Sequence, residues 1–109
     1  MMKPISIQDI ENFADAVGRE FCPEKVILFG SYAKGTAGAE SDVDLLVIMP
    51  GEASGARIAA QIISRLEPKL PIELLVRSSR QIRERLAMND FFLREIMATG
   101  KELYAAPHH

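Results

Sequence analysis

Two aspartates one residue apart, Asp42 and Asp44, stand at the entry to the apolar run Val43 to Ile48. Side chains alternate along a strand, so both carboxylates project to one face, about 6.6 Å apart at Cα from the per-residue rise. Like charges held that close to apolar sequence are unfavourable unless a cation sits between or beside them. Oxygen-only donors suit Mg²⁺, which takes one or two carboxylates and completes its shell with substrate phosphates. A second apolar run, Val26 to Phe29, ends in Gly30-Ser31, with ten residues between Ser31 and Asp42. Gly30 permits a sharp turn or the close approach of a ligand. Ser31 either caps a helical turn or donates its hydroxyl to a phosphate, and amides at such a turn point at an anion. The stretch thus reads as a triphosphate seat followed by a Mg²⁺ seat. Lys34 follows as either a phosphate partner or an exposed cation. Taken singly, Gly-Ser is an ordinary turn and Asp-x-Asp a solvated strand entry. Their joint placement between two strands carries the functional reading.

The surrounding chain supplies elements to hold these groups. Ser6-Ile7-Gln8-Asp9 forms a capping box with Asp in the place of Glu or Gln. Behind it Ile7, Ile10, Phe13, Ala14, Val17 and Phe21 recur at helical spacing, predicting a helix over 7–20 that Cys22-Pro23 ends. A strand over 25–29, a helical turn over 31–35, a small polar loop and a strand over 43–49 follow. Pro50-Gly51 marks a turn. Ser54 then caps a helix to about residue 67 with a buried face of Ala56, Ala59, Ile62, Ile63 and Leu66.

Ile72-Glu73-Leu74-Leu75-Val76 predicts a third strand with one charge in an apolar pentad. Glu73 is either an acid on a solvated sheet face or a third carboxylate, brought beside Asp42 and Asp44 by antiparallel pairing with the preceding strand. Ser78 to Gln81 is a second capping box, opening a helix over 79–87. Arg77, Arg80, Arg83 and Arg85 form a basic cluster there, read as a solvated face, with an acidic partner or an RNA as the alternative. Asn89 caps a last helix over 90–98 bearing Phe92, Leu93, Ile96 and Met97, which Gly100 stops. A short strand closes at Glu102-Leu103-Tyr104.

The 109 residues make one small domain, with a folded core over 1–105 and a tail over 106–109. The composition is 48% hydrophobic and 26% charged, an ordinary globular mix. A net charge of −2 argues against a broad nucleic-acid surface. No apolar run is long enough to span a membrane, and Met1-Met2-Lys3-Pro4 lacks a signal-peptide core. The single Cys22 permits no intrachain disulfide, fits a reducing cytoplasm, and reads as a small buried apolar residue rather than a nucleophile. His108 and His109 are native or tag-derived.

The pattern Gly30-Ser31, ten residues, Asp42-Val43-Asp44 resembles the signature of the minimal nucleotidyltransferases (MNT) of the DNA polymerase beta-like superfamily. The likeness is strongest over residues 24–49 and extends to about residue 104, where Gly100-Lys101-Glu102-Leu103-Tyr104 looks like the family's ending. It implies an α+β, two-layer α/β fold: a small mixed, mostly antiparallel sheet packed by helices. It implies that Asp42 and Asp44 bind Mg²⁺, that Gly30 and Ser31 hold the phosphates of ATP, and that Glu73 is the third carboxylate, as metal ligand, base or both. It further implies an antitoxin encoded beside a helical HEPN toxin, transferring AMP to a tyrosine of that partner. A contact antitoxin without catalysis and an aminoglycoside-type transferase completed by homo-oligomerisation are the alternatives.

Overall fold

The structure is a computed structural model that describes residues 5–52 and 54–107; the expectations for Met1 to Pro4 and for His108-His109 fall outside these. Its helices begin where side chains satisfy the first free amides. Ser6 Oγ accepts from the Asp9 N–H at 3.1 Å, and Asp9 Oδ2 accepts from the Ser6 N–H at 3.3 Å. This box opens α1 (Ile7–Phe21), whose buried stripe is Ile10, Phe13, Ala14 and Val17. Ile7 is exposed, because the helix enters from solvent there. Cys22 is exposed too, contrary to expectation: it ends α1 in the left-handed conformation, φ 51°, where its side chain leaves the core.

Four strands form one sheet. These are β1 (Lys25–Phe29), β2 (Val43–Met49), β3 (Ile72–Ser78) and β4 (Lys101–Ala105), in the order β3-β2-β1-β4. β1 pairs antiparallel with β2 and with β4. β2 and β3 pair parallel, which corrects the antiparallel expectation. The reason lies in the connection. A helix of twelve residues, α3 (Gly55–Leu66), separates the two strands and returns the chain to the end where β2 began. The sheet is therefore mixed and mostly antiparallel, as expected.

α1 and α3 cover one sheet face, with Ile10, Phe13, Val17, Ile58 and Ile62 packed on Val26, Leu28, Val43, Leu45, Val47 and Val76. The apolar face of α3 is Ile58 and Ile62 with Ala59 and Leu66, not Ala56 or Ile63, which are exposed. A smaller layer covers part of the other face. α4 (Ser79–Ala87) and α5 (Phe91–Thr99) place Ile82, Leu93 and Ile96 on Ile27, Leu46 and Ile48.

β3 runs into α4 without a loop, because the second capping box sits at the junction. Ser78 Oγ accepts from the Gln81 N–H at 3.1 Å, and Gln81 Oε1 accepts from the Ser78 N–H at 2.9 Å. Ser78→Ala removes a buried cap and is expected to cost about 1 kcal/mol. The denaturation midpoint should fall with the slope unchanged. For α5 the cap is Asp90, accepting from the Leu93 N–H at 3.1 Å, rather than Asn89. Asn89 instead takes a left-handed turn, φ 57°, between the helices. Gly100 ends α5 in extended conformation, so it is not a left-handed stop. Glycine is needed there for room: a Cβ would lie 2.5 Å from the Ile96 carbonyl oxygen and 2.6 Å from Ile27 Cγ2.

Candidate active site

The parallel register sets Asp44 of β2 directly beside Glu73 of β3. Both strands enter the sheet at the same end, so residues near their N-termini meet. Antiparallel pairing in full register would have sent Glu73 toward the far end of β2. The proximity expected of Glu73 thus arises through the opposite strand sense. On the other side of β2, Asp44 pairs with Phe29, the last residue of β1.

Gly30 follows Phe29 and turns the chain into α2 (Gly30–Lys34) at φ 74°, a conformation that side chains with a Cβ rarely adopt. A Cβ on Gly30 would also overlap Asp44 Oδ2. The turn and the carboxylate are therefore in direct contact. Ser31 lies inside the first turn of α2, and no side-chain hydrogen bond caps this helix. The capping alternative for Ser31 is thus not what the structure shows.

Asp44 is half-buried, whereas Asp42 and Glu73 are exposed. Burial raises the Asp44 carboxyl above its ordinary range; the charge of Glu73, a hydrogen bond with Glu73, and the charge of Asp42 raise it further. Three carboxylates gathered at one sheet end repel one another, and an oxygen-seeking cation would relieve that repulsion. Among the described residues no three or more His, Cys, Asp or Glu side chains form a group that could hold a metal ion. Mg²⁺ does not need an all-protein cage, since it keeps waters and takes substrate phosphates as ligands. The donor set, all carboxylate oxygen, fits that ion.

Lys34 Nζ lies 3.1 Å from Glu95 Oε1 of α5. The pair ties the small helix to α5. Glu95 had no signal in the sequence, because 61 positions separate the partners. Tyr32 packs against the core. Arg80 pairs with Glu52 and Glu84 on the surface, the solvated role expected of it. Phe92 of α5 is exposed and stands edge-on to Phe29, with ring centroids 5.7 Å apart. The core positions of α5 fall instead to Leu93 and Ile96, and both Phe91 and Phe92 are exposed.

Paired carboxylates at a strand head against a glycine turn are the arrangement that the resemblance to the minimal nucleotidyltransferases predicts. The chain belongs to the nucleotidyltransferase domain family, whose model matches residues 10–99. No curated protein sequence matches it. Among solved structures it is similar to a Sulfolobus solfataricus protein taken to be a nucleotidyltransferase, at TM-score 0.57 and 22% identity over 72% of this chain and 71% of that one. It is also similar to a toxin–antitoxin structure with AMP-PNP, at TM-score 0.52 and 22% identity over 88% of this chain and 73% of that one. A third is the toxin–antitoxin MntA-HpeT, in a mutant with two aspartates changed to glutamate. It matches at TM-score 0.50 and 20% identity over the same shares, 88% and 73%. These likenesses establish the fold. Among the described residues no helix is long and apolar enough to cross a membrane.

Proposed function

We propose that this nucleotidyltransferase moves AMP from ATP to a hydroxyl, a tyrosine of a partner HEPN toxin, and so acts as an antitoxin. The observation that carries the chemistry is the register that sets Glu73 beside Asp44 while Gly30 lies against the same carboxylate. The similarity to two toxin–antitoxin structures, one with AMP-PNP, supports the partner and the nucleotide.

Asp42 and Asp44, with Glu73, would hold Mg²⁺. That ion supplies neutralisation of the triphosphate charge and a lowered pKa for the acceptor hydroxyl. Gly30 and Ser31 seat the phosphates at the α2 turn. Lys34 exchanges Glu95 for a phosphate oxygen. Glu73 accepts the acceptor proton. The acceptor oxygen bonds to the α-phosphorus as the bond to the β-phosphate bridge breaks, and pyrophosphate leaves. Most of the rate comes from positioning and from fixed charge where charge develops.

Glu73→Gln keeps the size and removes the base. It is expected to lower kcat about 10²-fold. The function itself is tested with α-labelled ATP, Mg²⁺ and the product of the neighbouring gene. Label on that protein, absent with Asp42→Asn, is the expected result. Neutralisation of its toxicity by Asp42→Asn without any label would replace the enzyme reading with one of inhibition by contact.

A further inference from the structure

Apolar exposure in this protein is concentrated at one corner. Of the six large hydrophobic residues exposed among the described residues, four fall between Met88 and Met97. Met88 is 74% exposed, Phe91 81% and Phe92 54%, all at the joint between α4 and α5. The joint holds them outward. Asp90 Oδ1 is committed to the Leu93 N–H, and the Met88 and Asp90 N–H groups donate back to the Arg85 carbonyl. Isolated exposed hydrophobes are normal on a surface, but a cluster of this kind marks an interaction site.

The corner adjoins the active site. Leu46, Leu75 and Phe29 face α4 and α5, and side-chain alternation puts Asp44 and Glu73 on that same sheet face. Phe92 rests edge-on against Phe29, whose register partner is Asp44. Phe92 is thus linked to the carboxylate end of the sheet through Phe29.

The unpaired charges around the corner are mainly cationic. Helical spacing places Arg85 one turn from Met88 and Arg94 one turn from Phe91. Neither arginine has a carboxylate partner among the described residues; Arg94 donates only to the neutral Asn89 amide, at 3.0 Å. Of the nearby acids, Glu84 pairs with Arg80 and Glu95 with Lys34, while Asp90 accepts from the Leu93 N–H at the helix cap and keeps its charge. The result is an apolar centre with a mainly cationic edge, on a chain of net charge −2.

We propose that this corner, Met88, Phe91 and Phe92 edged by Arg85 and Arg94, docks the acceptor protein through an amphipathic segment whose apolar side chains are flanked by Asp or Glu. The proposal rests on the protein-modifying reading above. A second copy of this chain fits less well, because a two-fold contact centred here would oppose one cationic edge to the other. A nucleic acid fits less well, because two arginines on a chain of net charge −2 are too few to track a phosphate backbone. Docking here would hold the acceptor hydroxyl beside Glu73 and supply the acceptor-binding surface that so small a domain lacks.

The test uses Phe91→Ser and Arg85→Glu in the full chain, with the product of the neighbouring gene as the probe. The acceptor KM and the Kd for complex formation should rise at least tenfold in each variant. The KM for ATP and the thermal midpoint should stay at wild-type values, since both side chains are exposed and outside the reacting groups. Added salt should weaken wild-type binding more than binding by Arg85→Glu. Unchanged acceptor KM in both variants, while the wild type labels the acceptor, overturns the docking surface and leaves the enzyme reading intact. A wild-type dimer dissociated by Phe91→Ser overturns it in favour of self-association. Single-stranded RNA held by the wild type and released by Arg85→Glu overturns it in favour of an RNA surface. A wild type that neither binds nor labels the probe overturns the protein-modifying reading, and the docking proposal with it.

Discussion

Asp44→Asn is expected to abolish transfer, by at least about 10³-fold, while making the metal-free protein more stable at neutral pH. The two effects share a cause. Burial, Glu73 and Asp42 all hold the Asp44 carboxyl above its ordinary range, so the folded protein binds that proton more tightly than the unfolded chain does. The stability this group contributes is complete below the unfolded aspartate pKa and is lost as pH rises through the raised folded value. At neutral pH the ionised side chain is thus a net cost, which Asn, uncharged and nearly isosteric, removes. Differential scanning calorimetry without metal should show a midpoint a few degrees above wild type at pH 7 and little difference at acid pH. With Mg²⁺ and ATP added, the wild type should gain stability and Asp44→Asn should not. An equal ligand-induced gain in both proteins would remove Asp44 from the proposed ligand set.

Gly30→Ala should be nearly as damaging to activity, through geometry rather than charge. Alanine at φ 74° is strained, and its methyl group would occupy the place of Asp44 Oδ2. Either the α2 turn moves or the carboxylate does, and both belong to the proposed phosphate and metal seats. We expect a loss of about 10²-fold in kcat/KM, since displacements near 1 Å at reacting groups carry penalties of that size. Folding stability should fall by about 1–2 kcal/mol from the left-handed backbone position. Gly35→Ala is the control. Gly35 also has positive φ, 75°, but a Cβ there meets nothing within 4 Å. It should lose comparable stability and keep most activity, separating backbone strain from the overlap with Asp44.

The local sequence determined most of the elements and the identity of the reacting groups. Both capping boxes formed as their residue types dictate, because Ser, Asp and Gln reach amides three residues away without help from the rest of the fold. The short apolar runs became strands, and Asp42-Val43-Asp44 fell at a strand head, since alternation and turn residues act over a few positions. The tertiary structure decided what depends on the path between elements. The sense of β3 follows from the route of α3, and only the resulting register sets Glu73 beside Asp44. Lys34 found Glu95 across 61 positions through packing alone. Contact between Gly30 and Asp44 required β1 and β2 to lie side by side, which no spacing of residues encodes. The outward turn of Phe91 and Phe92 was not written locally, because successive helix residues can share a buried face, as Phe13 and Ala14 do in α1. Nor was their position against Phe29, at the edge of the carboxylate site, because α5 reaches that sheet face only when the core beneath it has closed.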